Sequence, residues 1–153
     1  MLTKDIQERY TEGQIEFYRR DGMRADLLAA RQDERPFNFS DNVHPIPIGF
    51  TRIEEGDVIE MGGRSWDVRV DHGHAPDHAT FWSRDDNLVL CGDQVIASIS
   101  SNIGVYPTEP DANPLADWLD SCARLQNFAR ADHLALPGHK LPFVGMPLRL
   151  RQL

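Results

Sequence analysis

Three short apolar runs in this chain end in the same way. Val68-Arg69-Val70-Asp71-His72 closes on Gly73-His74, Leu88-Val89-Leu90-Cys91 on Gly92-Asp93, and Leu134-Ala135-Leu136-Pro137 on Gly138-His139. Runs this short suit strands better than helices. A glycine at the end frees the backbone to turn tightly and swing the next side chain off the strand. The pattern predicts a sheet whose strand ends deliver His74, Asp93 and His139 into one shared cleft. Strand ends hold such side chains on a rigid scaffold while leaving one side of the cleft open.

The rest of the chain supplies the elements for such a sheet. From about residue 49 the hydrophobic period is two: Phe50, Arg52 and Glu54 alternate with Thr51 and Ile53. A strand is expected over 57–61, and Gly62-Gly63 suits a two-residue hairpin turn. Trp66, Val68 and Val70 then point one way and Asp67 and Arg69 the other. Strands follow over 79–83 and 88–92, joined by a turn at 84–87, and then a Ser/Asn/Gly-rich surface loop over 97–109. Asn113-Pro114 opens the best helix, with a cap residue followed by proline at the first helical position. Its apolar stripe is Leu115, Trp118, Leu119, Cys122, Leu125 and Phe128–Ala129. A strand over 133–136 and a helix beginning near 145 complete the chain.

The first 48 residues read differently. A helix is expected over 3–20, capped by Thr3, with Ile6, Tyr10, Ile15 and Tyr18 near one face and Gly13 weakening it. Asp21-Gly22 breaks it, a second helix follows over 24–32, and 33–48 has turn and extended chemistry. The expected division is a helical segment with its loop over 1–48, then a sheet-bearing part over 49–153.

Bulk composition removes several functional classes. With 153 residues, 41% hydrophobic and 26% charged, the chain has the make-up of one globular domain. A net charge of −8 with no basic patch argues against nucleic acid and against anionic lipid as partners. No apolar run of about 18 residues suggests a membrane span, and the N-terminus has no signal-peptide core. The expected location is the cytoplasm. Cys91 and Cys122 form no C-x-x-C pair and are expected as buried, reduced thiols.

Taken singly, a histidine after a strand is commonly a hydrogen-bonded structural residue, and Gly-Asp is commonly a turn. Together, imidazole and carboxylate at converging strand ends suit a borderline divalent metal such as zinc. The first of the three ends is the richest. His72-Gly73-His74-Ala75-Pro76-Asp77-His78 holds three histidines and one aspartate in seven residues.

Gly73-His74 with Ala75-Pro76-Asp77-His78, then Gly92-Asp93, then Pro137-Gly138-His139, resembles the second half of the metallo-β-lactamase-fold hydrolases. The similarity runs over about 49–144 and takes in the Gly62-Gly63 hairpin and the helix from Pro114. It implies an α/β fold: the C-terminal half of an αββα sandwich, with a mainly antiparallel sheet and helices on one face. Position by position, His74 resembles the third histidine of the first metal site. Asp93 resembles the aspartate bridging two metals, and His139 the last histidine of the second site. Family members use such ions, usually zinc and sometimes iron or manganese, to activate water against an ester, thioester, amide or phosphoester. No separate protein nucleophile is then needed.

The spacing H-x-H-x-x-D-H over 72–78 is one residue longer than the H-x-H-x-D-H signature that opens the family's first half. In the family, Asp-His of that signature opens a helix, whereas Asp77-His78 runs into the strand-like Ala79-Thr80-Phe81-Trp82. His72, Asp77 and His78 are therefore expected beside the site rather than as its first ligands. The loop Tyr106–Asp111 corresponds to a region near the family's pocket. Tyr106 and Glu109 are its candidates for touching a small-molecule substrate, a plain structural loop being the alternative. Gln14–Met23 resembles a helical insert carried by some members.

The departure from the family is as informative as the match. No H-x-H-x-D-H precedes residue 49, and the first 48 residues hold one histidine, His44. The expectation is a C-terminal portion with an incomplete metal site, inactive alone. The competing expectation is a non-catalytic binding or dimerisation module, pairing through an exposed sheet face or edge. His44 and His133 are assigned structural roles.

Overall fold

A computed structural model describes residues 8–38, 41–44, 47 and 49–153. The chain divides into two compact units, Met1–Thr51 with Tyr106–Asp111, and Arg52–Val105 with Ala112–Leu153.

The first unit carries α1 (Glu12–Arg20) and α2 (Ala25–Asp33). Among the described residues, the helix expected over 3–20 runs from Glu12 to Arg20. Thr11 is its cap: the Thr11 side chain accepts the Gln14 N–H, and the Gln14 side chain accepts the Thr11 N–H. This reciprocal capping box, T-x-x-Q, is a stronger start signal than Thr3. Thr3 and Ile6 lie outside the described residues, as do Ser40, Pro45 and Ile46 of the expected loop. Ile15 and Leu28 are buried, and the Arg31 guanidinium lies over the Tyr18 and Tyr10 rings, 4.5 and 5.3 Å from their centroids.

The second unit is built on a five-stranded sheet. Its strands are β1 (Val58–Met61), β2 (Arg64–Asp71), β3 (His78–Ser83), β4 (Leu88–Gly92) and β5 (Leu134–Pro137), in that spatial order. The first three pairings are antiparallel; β4 and β5 run parallel. A parallel pair cannot be joined by a tight turn, and the crossover here contains α3 (Pro114–Leu125). Gly62 and Gly63 both have positive φ, 62° and 75°, as a two-residue turn matched to strand twist requires.

The period-two run over 49–54 does not form a strand. The Asp57 carboxylate accepts the Glu54 N–H at 2.8 Å, and the Asp57 N–H bonds back to the Glu54 carbonyl. That local turn, with Gly56 at φ 87°, takes the backbone groups a ladder would use.

Register decides which face carries the core. Trp82 pairs with Val89, and Val89 with Ala135, so the three share a face. Trp118, Cys122 and Leu125 of α3, and Met146 and Leu150 of α4 (Met146–Gln152), complete that cluster. Leu125 has no exposed surface, and full burial of such a side chain contributes about 1.5–3 kcal/mol. Three members of the expected stripe fall elsewhere: Leu115, Leu119 and Phe128 are 54%, 44% and 36% exposed. The inward face of α3 runs instead through Trp118, Ser121, Cys122 and Leu125. Cys91 and Cys122 are free thiols, and burial pushes their pKa values up to about 12 and about 11. Among the described residues no helix is long and apolar enough to cross a membrane.

Candidate metal centre

The three strand ends meet. His74 follows β2 after the turn at Gly73, which has φ 104°. Asp93 follows β4 directly after Gly92, at φ 48°, and His139 follows β5. The His74 Nε2 and His139 Nε2 atoms each lie 3.5 Å from the same Asp93 oxygen, Oδ2.

Hydrogen bonds set which His74 nitrogen is free. Nδ1 lies 2.9 Å from the Asn102 carbonyl oxygen. A carbonyl only accepts, so Nδ1 carries a proton and Nε2 is the nitrogen left facing Asp93. This arrangement orients imidazole ligands in metal sites. The other Asp93 oxygen, Oδ1, is buried without a hydrogen-bond partner, a state that is unfavourable for a carboxylate unless a cation lies nearby.

These donors fit a divalent metal in kind, and each His–Asp93 pair fits one in spacing. Two donors at about 2.1 Å from a tetrahedral zinc lie about 3.4 Å apart. They form two pairs joined at Asp93, His74–Asp93 and Asp93–His139. Among the described residues, no group of three or more His, Cys, Asp or Glu side chains is gathered so that it could hold a metal ion.

The neighbouring titratable groups separate into two kinds. His78 Nε2 accepts the Asp93 backbone N–H at 3.2 Å, and its ring stands edge-on to that of His74 at 5.8 Å. Burial is the largest influence on the His78 pKa and lowers it, and the neighbouring His74 ring acts in the same direction. His72 and Asp77 form a separate pair, 3.8 Å apart, and Asp77 is 83% exposed at its side chain. The His72 ring also contacts the Pro76 carbonyl. β3 begins at His78, so Asp77-His78 opens a strand and not a helix. Tyr106 and Glu109 belong to the first unit, where the Glu109 N–H bonds the Tyr106 carbonyl in a turn. His133 is buried, its Nδ1 accepting the Arg130 N–H and its ring packing on Trp82. His44 is exposed.

Sequence reading missed the residues that hold these loops. Ser121 on α3 accepts the His72 N–H at 2.9 Å. Its signal was legible: a hydroxyl in an apolar stripe needs a buried partner. Arg124 donates to the Val70 carbonyl and, at 2.7 Å, to Asp71.

A family model of the metallo-beta-lactamase superfamily matches residues 9–139. The chain belongs to that superfamily. Among solved structures it is similar to a beta-lactamase domain protein from Burkholderia ambifaria, at 39% identity and a TM-score of 0.69. That match covers 74% of this chain and 33% of the other. A metallo-beta-lactamase family protein from Thermus thermophilus matches at 26% identity and a TM-score of 0.66, over 90% of this chain and 46% of the other. The protein TTHA1623, solved in a di-iron-bound form, matches at 25% identity and a TM-score of 0.52, over 83% of this chain and 55% of the other. No curated protein matches. This superfamily member therefore spans about a third to a half of the length of the first two structural relatives. Its α/β architecture, with a mostly antiparallel sheet, is that of the superfamily, and metal-dependent hydrolysis is consistent with membership.

Proposed function

We propose that this chain is the C-terminal portion of a metal-dependent hydrolase, contributing His74, Asp93 and His139 to its metal centre. The observation that carries the reading is the approach of both Nε2 atoms to one Asp93 oxygen at 3.5 Å. The fragment reading is supported by the share of its relatives that the chain spans, 33% and 46%. It is further supported by the lack of an H-x-H-x-D-H signature in the sequence. A bound zinc, iron or manganese ion would supply Lewis acidity, lowering the pKa of water to about 7 and polarising the bond to be broken in an ester, thioester, amide or phosphoester.

The chain's own residues have narrower tasks. Asp93 provides negative charge between the two imidazoles. His74, with Nδ1 donating to the Asn102 carbonyl, turns Nε2 toward Asp93. His78 holds the Asp93 backbone through its N–H. Hydrolysis needs no nucleophile from the protein. The two buried thiols suit the reducing cytoplasm.

A second reading has its own observation. The donors form two pairs and not one cluster of three or more. That favours a non-catalytic binding or dimerisation module with weak metal uptake, pairing through the sheet face or the edge strand β1. Elemental analysis of the chain after equilibration with zinc and dialysis separates the two. Zinc uptake that Asp93→Ala and His74→Ala each abolish is expected of the hydrolase portion, together with little turnover of thioester or lactone. A folded wild-type chain that retains no zinc overturns that reading and leaves the module.

A further inference from the structure

We infer that Gln94 is a positioning residue, which together with Ser101 closes a hydrogen-bond circuit fixing the His74 imidazole against the Asp93 carboxylate; this rests on the metal-centre reading above. Gln94 follows Asp93 and is 0% exposed. Its Nε2 donates to the His72 carbonyl at 3.2 Å. Two residues further on, His74 Nδ1 donates to the Asn102 carbonyl. The next link is Ser101, also buried, whose hydroxyl reaches the carbonyls of both Asp93 and Gln94, the latter at 3.1 Å. The path therefore leaves Asp93-Gln94, crosses to His72–His74, crosses to Asn102-Ser101 and returns to Asp93. Trp118 Nε1 donates to the Gln94 carbonyl at 3.1 Å and ties the circuit to α3.

A space-filling role does not account for an amide here. The Gln94 Oε1 atom is buried with no hydrogen-bond partner. An orphaned acceptor destabilises a core, and methionine would fill the same volume without one. What glutamine adds is the Nε2 donor, and that donor is spent on the turn that carries His74. Because the turn is also backed by Ser121, loss of the amide should move the imidazole without unfolding the chain. Neither Gln94 nor Ser101 touches a metal in this scheme. Both act through His74 and Asp93.

The test uses the full chain with Gln94→Met, Ser101→Ala and the double variant. Two readouts are taken: Co(II) affinity from an optical titration, and the His74 ring tautomer from long-range proton–nitrogen correlation of the metal-free chain. Each single variant is expected to weaken Co(II) binding about 10–100-fold, the range for groups that orient ligands. In a closed circuit, the double variant loses little more than the weaker-binding single. The wild-type His74 is expected as one Nδ1–H tautomer, and the Gln94→Met His74 as a mixture. Unchanged Co(II) affinity with the Nδ1–H tautomer retained overturns the proposal, as do losses that multiply in the double variant. If the wild type binds no cobalt, the metal-centre reading fails instead, and the tautomer alone decides whether the circuit exists. If Gln94→Met does not fold, Ser101→Ala reads the same circuit from its other side.

Discussion

Gly73 and Trp118 approach so closely that a Cβ on Gly73 would lie 2.3 Å from the Trp118 Cβ and 2.6 Å from its Cα. The neighbours are helix backbone and cannot swing aside, and the φ of 104° is itself poor for any side chain. Gly73→Ala is expected to destabilise the chain by about 3 kcal/mol or more, combining backbone strain with overpacking. Gly62 makes the comparison: its φ is also positive, but nothing lies within 4 Å of a Cβ there. Gly62→Ala is expected to cost about 1–2 kcal/mol. Urea unfolding of the two variants measures both, and equal losses would show that the contact with α3 is unimportant.

Gly138 serves the site for a different reason. Its φ is not positive, and a Cβ there would stand 2.5 Å from Asp93 Oδ1. The neighbour is a carboxylate at the mouth of the centre, not helix backbone. Gly138→Ala is therefore expected to turn the Asp93 carboxylate while leaving stability within about 1 kcal/mol of wild type. Zinc affinity should fall about tenfold. Isothermal titration beside a melting curve checks both, and undiminished zinc binding would sink the idea.

These two glycines show what the sequence could and could not reveal. Gly-His, Gly-Asp and Gly-His after apolar runs were enough to expect a common cleft, because a strand end followed by glycine is a local signal. That Gly73 and Gly92 need positive φ was legible in the same way. That Gly138 needs space for Asp93 was not, because residues 45 positions apart share no local pattern. Helix α3 was found by its cap and proline, and Trp118, Cys122 and Leu125 of the expected stripe do face inward, but Leu115 and Leu119 do not. Leu115 and Leu119 fit the helical period, and the sheet instead receives the side carrying Ser121. The alternation at 49–54 produces no strand, because the turn held by the Asp57 carboxylate overrides it. Of His72, Asp77 and His78, the sequence pointed to His78 as the one bonding near the site, and its contact with the Asp93 N–H sets it apart from the exposed pair His72 and Asp77.

Asp71 is a carboxylate with no exposed surface, held by the Arg124 guanidinium at 2.7 Å and the Thr80 hydroxyl at 2.9 Å. Burial raises its pKa, and Thr80 and Arg124 pull it back. Arg124→Met strands the charge. Breaking a buried pair costs about 3–5 kcal/mol, and because the Arg124 side chain is 36% exposed, about 2–3 kcal/mol is expected at pH 7. A carboxyl with a raised folded pKa favours the folded state below its unfolded pKa and loses that advantage as pH rises through the folded value. The deficit of Arg124→Met should therefore shrink on acidification from pH 7 toward pH 4. Denaturant midpoints across that range test it, and a deficit that grows on acidification would contradict the assignment.

His133 gives the opposite sign. Burial lowers its pKa from the ordinary 6.5, with the Arg130 charge adding to the effect. Its Nδ1 accepts the Arg130 N–H at 3.1 Å, and a protonated ring cannot accept that bond. Its other side packs on Trp82, with ring centroids 5.3 Å apart, so a charge would also be placed against the core. Below pH 6.5 the unfolded chain binds a proton that the folded chain refuses. Unfolding free energy therefore falls as the pH drops from 6.5 through the lowered folded value, and His133 contributes no pH dependence well above 6.5. In His133→Gln the side-chain carbonyl can still accept the Arg130 N–H, but it does not titrate. The variant is expected to lose some packing against Trp82 at every pH, and to lack the wild-type decline between pH 6.5 and pH 5. Subtracting the two profiles isolates the histidine from the carboxylates that titrate in both. A difference that stays flat from pH 7.5 to pH 5 would mean that His133 takes up its proton equally in the folded and unfolded chain.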